Sequence, residues 1–171
     1  MVQAYSLTES ELEKHLEGLL ESKGLRKLAT QVRIGSFRLD AVALDPSNGA
    51  LVVVEIKTTR WSGTLGQLLL YPRALRRALL RAGEKPPAVI RSLLITTYLD
   101  SGLNDVLEDH ELGEQIELLV CIGSVEEGLR LVSPTDPEVG DVVSDQADGA
   151  SDVEAKVVGS EYYPVTAGSG S

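Results

Sequence analysis

Apolar positions recur along this chain in two rhythms, and each rhythm predicts its own elements. Leu12, Leu16, Leu19 and Leu20 fall at i, i+4, i+7 and i+8, which lays one stripe along an amphipathic helix. Thr8 is the predicted N-cap, Glu11 its capping-box partner three residues on, and Gly24 the predicted stop. Beyond Gly24 the period falls to two. Residues 27–34 and 37–45 read as strands separated by Gly35-Ser36, the second running Arg38-Leu39-Asp40-Ala41-Val42-Ala43-Leu44. Asp45-Pro46-Ser47-Asn48-Gly49 then breaks the chain before a third strand at 50–57. That strand is apolar until Glu55, so it is expected in the centre of a sheet, covered on both faces.

The helical rhythm returns from Gly63 to Ala82, with Leu65, Leu68, Leu69, Leu75 and Leu79 inside and arginines outside. Pro72 lies within it and is expected to kink or divide it, because proline lacks the N–H of the helical ladder. Gly83 ends the helix and Pro86-Pro87 prevents continuation. A fourth strand follows at 88–97, a short helix at 103–112, a fifth strand at 116–122 and a short last one at 129–132. The order is helix, three strands, helix, strand, helix, strand. It predicts an α/β fold, a small mixed sheet flanked by helices.

With 171 residues and 43% hydrophobic content, the chain suffices for one domain with a core and an appendage. Residues 1–132 are read as the domain and 133–171 as an acidic, flexible tail rich in Asp, Pro, Gly and Ser. No apolar run approaches the roughly 20 residues of a membrane span, and the polar, acidic N-terminus does not read as a signal peptide. Cys121 is the single cysteine, which fits a cytoplasmic location. Its apolar neighbours mark it as a buried structural thiol. The formal net charge is -10, but its distribution matters more. Between Lys57 and Arg91 stand Lys57, Arg60, Arg73, Arg76, Arg77, Arg81, Lys85 and Arg91 against one acid, Glu84. Local potential steers a polyanion, so this basic zone keeps nucleic acid open as a partner.

The chemistry concentrates at Asp40, Glu55 and Lys57. A modest stagger of the second strand against the third brings Asp40 beside Glu55. Two adjacent carboxylates repel unless a cation lies between them, and a hard divalent metal suits them. Glu55 and Lys57 are two apart on a strand, so their side chains leave the same face. An ammonium there can orient or activate a water, or neutralise an anionic substrate. The ordinary alternative is a strand end and an exposed cross-strand pair. Against it, these charges follow a run that should be buried, and an unpartnered buried charge is costly.

Asp40 and Glu55-Ile56-Lys57 in this order of elements resemble the PD-(D/E)XK nuclease superfamily. Gln67 and Tyr71 resemble the Gln-x-x-x-Tyr motif of its RecB-like members. The stretch from Arg38 to Tyr71 is similar to the nuclease domains of NucS/EndoMS-type endonucleases, and the core to archaeal Holliday-junction resolvases. The likeness spans roughly residues 8–122, with Leu39 where the superfamily name has proline. It implies a restriction-endonuclease-like αβββαβ core and Mg²⁺ or Mn²⁺ held by Asp40, Glu55 and the Ile56 carbonyl. It also implies Lys57 at the attacking water, with Gln67 and Tyr71 in support. Glu13 would match the acid that the first helix brings to such sites. Glu9 and Glu17 lie one turn away on the same face and stay open. An ordinary solvated helix face is the alternative for all three glutamates.

Arg60 and Trp61, just past Lys57, are candidates to meet nucleic acid, Trp61 by stacking on a base or wedging a distorted duplex, with an aromatic packed over the second helix as the equal alternative. Arg73, Arg76, Arg77 and Arg81 are candidates for a phosphate rail, with a solvated helix face as the alternative. His15 and His110 are too isolated for a metal site. The expected function is a metal-dependent DNA endonuclease in repair, recombination or defence. The alternative is a silent nuclease-fold module that binds DNA or a protein partner. A homodimer and a targeting partner are also open, and no membrane partner is expected.

Overall fold

A computed structural model describes residues 7–58, 63–99, 106–107 and 110–139. Its elements are α1 (Glu9–Glu21), β1 (Arg26–Ile34), β2 (Phe37–Asp45), β3 (Ala50–Lys57), α2 (Thr64–Arg81), β4 (Ile90–Thr96), α3 (His110–Gly113), β5 (Ile116–Ser124) and β6 (Gly128–Val132). The αβββαβ order expected of a restriction-endonuclease-like core is the order observed. Six strands form one mixed sheet in the order β1-β2-β3-β4-β5-β6, with β3–β4 and β4–β5 parallel and the rest antiparallel.

The start of α1 follows its sequence closely. Thr8 Oγ1 accepts from the Glu11 N–H at 3.2 Å, and the Thr8 N–H donates to Glu11 Oε2 at 2.8 Å, closing the capping box. Leu12, Leu16, Leu19 and Leu20 then pack on one face of the sheet, against Ala41, Ala43, Val52, Val54 and Ile56. Burial of each such leucine contributes about 1.5–3 kcal/mol. On the other face Tyr71 and Leu75 of α2 pack on Leu39, Val42 and Val53. β3 is therefore central and covered on both sides, as its apolar run predicts.

The turn from β2 to β3 is built by Asp45. Its Oδ1 accepts from the Ser47 N–H at 3.0 Å, its carbonyl accepts from the Gly49 N–H at 2.8 Å, and Gly49 takes φ 74. This turn sets Asp45 opposite Ala50 and, four pairs later, Ala41 opposite Val54.

Pro72 does not divide α2, which runs unbroken from Thr64 to Arg81. The reason lies on another element. Proline leaves the Leu68 carbonyl without its helical donor, and the buried Ser92 Oγ of β4 donates to that carbonyl at 2.6 Å. Of the helix expected at 103–112, residues 106–107 are helical and α3 is seen at its end; the remainder lies outside the described residues. Cys121 is buried in the α1-side core, and burial pushes its thiol up to about 11, as a structural thiol requires. Beyond Val132 the segment 133–138 is mostly exposed, and Val139 returns to the sheet, 1% exposed against Val120, Ile122 and Val132. Residues 140–171 lie outside the described residues. Among the described residues no helix is long and apolar enough to cross a membrane.

Candidate active site

The β2–β3 pairing runs from Asp45↔Ala50 to Ala41↔Val54 and ends just short of the acid pair. Asp40 and Glu55 follow immediately on their strands, near enough for the charge of Asp40 to act on Glu55. Asp40 Oδ2 accepts from the Ile56 N–H at 2.8 Å. Lys57, next along the Glu55 face of β3, places Nζ 3.2 Å from Glu55 Oε1. These groups line a cleft of about 370 Å³ together with Glu9, Glu13, Gln31, Ser36, Arg38, Gln67 and Tyr71.

Electrostatics in the cleft are unrelieved. Glu55 is only 4% exposed, and burial, then the charge of Asp40, push its carboxyl up to about 7 against the pull of Lys57. Burial likewise raises Asp40, opposed by the Ile56 N–H and Lys57. For Lys57, burial alone would lower the ammonium, but Glu55, Glu9 and Asp40 outweigh it and hold it above its ordinary value. Burial and the same two carboxylates, Glu55 and Asp40, raise Tyr71. Glu55 Oε2 is the one buried side-chain oxygen or nitrogen among the described residues that lacks a hydrogen-bond partner.

The three first-helix glutamates are now distinguishable. Glu9 Oε1 lies 3.8 Å from Lys57 Nζ. Glu13 Oε1 accepts from Gln31 Nε2 at 2.6 Å, and Glu17 pairs with Lys27 at 2.8 Å. Glu9 and Glu13, the latter favoured by spacing, both line the cleft, and Glu9 is the one that reaches Lys57. Their order depends on how α1 docks, and the leucine stripe does not encode that to within one turn.

From α2, Tyr71 is 3% exposed and meets Phe37 edge-on, centroids 5.5 Å apart. Gln67 is exposed on the cleft wall. Arg73, Arg77 and Arg81 are exposed and, among the described residues, pair with no carboxylate. Arg76 departs from this rail: it is half-buried and Nη2 donates to the Ala88 carbonyl at 2.9 Å, tying α2 to the segment before β4. Arg60 and Trp61 lie outside the described residues, as does the side chain of His110; His15 is exposed, away from the cleft.

Three cleft residues escaped sequence reasoning, Gln31, Ser36 and Arg38. Arg38 had a usable signal, since it precedes Asp40 by two on a strand and so shares its face. Gln31 had none, because its place depends on β1 pairing with β2.

No three carboxylate, imidazole or thiol groups among the described residues converge as a preformed metal cage. Two carboxylates and a backbone carbonyl, with remaining positions left to water and substrate oxygens, nevertheless suit a hard cation such as Mg²⁺. The partnerless Glu55 Oε2 beside Asp40 fits that demand.

No protein-family model matches the chain, and comparison with curated proteins finds no match. Among solved structures, the chain is similar to a repair endonuclease from Pyrococcus abyssi, at 20% identity and TM-score 0.48 over 67% of this chain and 46% of that one. It is similar to EndoMS in a complex with dsDNA, at 26% identity and TM-score 0.49 over 66% and 44%. It is also similar to SfsA from Pyrococcus furiosus in complex with Ca²⁺, at 14% identity and TM-score 0.40 over 75% and 64%. The chain spans less than half the length of the first two.

Proposed function

We propose that this chain is a Mg²⁺- or Mn²⁺-dependent endonuclease that hydrolyses DNA phosphodiester bonds, in repair, recombination or defence. The observation that carries this reading is the Glu55 carboxylate, buried against Asp40 with one oxygen unsatisfied and Lys57 alongside. Nothing structural is gained from two like charges in such a place, whereas a cation-dependent site needs them. Asp40, Glu55 and the Ile56 carbonyl would hold the metal. When bound, it would supply charge for the phosphate and lower the pKa of a water.

The remaining chemistry belongs to the chain. Hydrolysis forms a bond from water oxygen to phosphorus and breaks the bond to the 3′ oxygen, which ends with the proton that water gives up. The Lys57 ammonium has three donors and no acceptor, so its part is to hold the attacking or phosphate oxygen rather than to take a proton. Glu9, on its other side, would keep that ammonium aimed. Gln67 would orient groups from the cleft wall, and Tyr71 would close the site's α2 side. The exposed Arg73, Arg77 and Arg81 favour a polyanion as substrate. The choice of DNA rests on the sequence resemblance.

The test is cleavage of labelled duplex, single-stranded, mismatched and junction DNA in Mg²⁺, Mn²⁺ or EDTA, beside Glu55→Ala and Lys57→Ala. Cleavage that requires metal and is lost in both variants is expected. DNA binding without cleavage in either metal would overturn the enzyme reading and leave a binding module.

A further inference from the structure

Gln31 is the one non-glycine with positive φ (51) among the described residues. An L side chain rarely adopts that backbone, so something outside the residue must hold it there. It interrupts the β1–β2 ladder at a telling place. Thr30 pairs with Ala41 and Val32 with Leu39, which leaves Gln31 across from Asp40. Its amide is used at both ends. Nε2 donates to Glu13 Oε1 at 2.6 Å, and Oε1 accepts from Arg38 Nε at 2.5 Å. The carboxylate on one side and the guanidinium on the other fix which end of the amide is which.

Arg38 is therefore gripped by Nε alone. Its two terminal nitrogens carry four further N–H groups, and no carboxylate among the described residues pairs with them. Three arginines elsewhere are committed: Arg91 to Asp45 and Glu117, Arg130 to Glu138, Arg76 to a carbonyl. Within the cleft the contrast is sharper. Four carboxylates line it (Glu9, Glu13, Asp40, Glu55) against two cations, and Lys57 is already between Glu55 and Glu9. A polyanion entering this cleft meets Arg38 as the cation whose fork is still open, exposed at the rim and two residues from Asp40. A planar fork with both arms free suits a phosphate through two parallel hydrogen bonds.

We propose that Arg38 binds a backbone phosphate of the nucleic-acid substrate at the rim of the cleft, and that Gln31, strapped to Glu13, is the positioning residue that aims it. This rests on the nuclease reading above and names a substrate contact of the same site.

The test measures binding of a fluorescein-labelled 20-base-pair duplex to the full chain by anisotropy. It is done in Ca²⁺, which shares the oxygen preference of Mg²⁺, over a series of salt concentrations. Arg38→Ala should weaken binding on the order of tenfold and lower the slope of log K against log salt by about one. Arg38→Lys should keep the slope and recover only part of the affinity, because the charge stays and the fork goes. Gln31→Gly suits the left-handed backbone and so folds without strain. It should weaken binding by less than Arg38→Ala with the slope unchanged, since the charge remains but is no longer aimed. Wild-type binding with the same affinity and slope in Arg38→Ala would overturn the phosphate contact alone. Unchanged binding in Gln31→Gly would overturn the positioning role. No binding by the wild-type chain would overturn the nuclease reading and this contact together.

Discussion

Two clusters of acid and base sit at opposite ends of the same sheet, and they have been built to opposite purposes. At the turn end, Arg91 lies between Asp45, 3.5 Å away, and Glu117. Asp45 is satisfied on all sides: Ser47 donates to it from N–H and hydroxyl, and Asn48 Nδ2 at 3.2 Å. The Ser47 hydroxyl, then its N–H, with Arg91 in support, hold the Asp45 carboxyl below its ordinary value despite some desolvation. At the other end Asp40 and Glu55 share one lysine, both are raised by burial, and one oxygen of Glu55 has no partner. The first cluster closes the fold. The second costs stability and is left open toward solvent and ligand. Carboxylate count and cation count barely differ; saturation of the oxygens does.

The contrast breaks most visibly in activity. Glu55→Ala or Lys57→Ala should lower the DNA cleavage rate by at least about a thousandfold, while Asp45→Ala or Glu117→Ala leaves it near wild type and lowers the melting temperature. A turn-end variant that lost cleavage with its fold intact would show the two ends to be one system.

The second effect is on stability and has a definite sign. A carboxyl at about 7 when folded and 4.5 when unfolded binds more protons folded than unfolded between those values. Stability from this group therefore falls as pH rises from about 4.5 to about 7. In EDTA, Glu55→Gln should be the more stable protein at pH 8, by up to about 3 kcal/mol, and the difference should vanish near pH 4. Urea melts at the two pH values measure it; a gain that persists at pH 4 would assign the cost to packing instead.

Next comes Ser92. It acts as the turn-end cluster does, satisfying a group that would otherwise be orphaned, here the Leu68 carbonyl bared by Pro72. Ser92→Ala should cost about 1–3 kcal/mol in urea unfolding. Pro72→Ala restores the helical donor and should recover part of that loss in the double variant. Smallest is ligand stabilisation: Mg²⁺ at ten times its Kd should add about 1.4 kcal/mol to the wild type, seen as a rise in melting temperature. Asp40→Asn should lack it while keeping its fold.

Much of this was legible from residue order alone, for local reasons. Thr8 and Glu11 cap within one turn, Asp45 turns the chain within five residues, and Glu55 and Lys57 share a face by strand period. What escaped depends on partners far along the chain. Pro72 was expected to kink or divide α2; the helix is not divided, and the Leu68 carbonyl that Pro72 bares is met by the hydroxyl of Ser92, 24 residues beyond Leu68. Glu9, Glu13 and Glu17 repeat on one helical face, so only the docking of α1 on the sheet tells which meets Lys57. Gln31 looks like any strand residue until the pairing of β1 with β2 puts it across from Asp40. Arg76 reads as one of four equivalent arginines, yet Ala88 removes it from the exposed set.

The sheet order repeats the order of the chain, β1 through β6. Each strand therefore lands beside the one made just before it, and closure entropy is met in short loops at every step except the crossovers into β4 and β5. The hairpin of β2 and β3 needs only residues 37–57 to bring Asp40 onto the Ile56 N–H beside Glu55, before α2 has followed it. In quenched-flow hydrogen exchange, amides of this hairpin should gain protection no later than those of β5 and β6. The repulsion at the heart of the site is then imposed early, by a local turn, and the rest of the molecule grows outward over it.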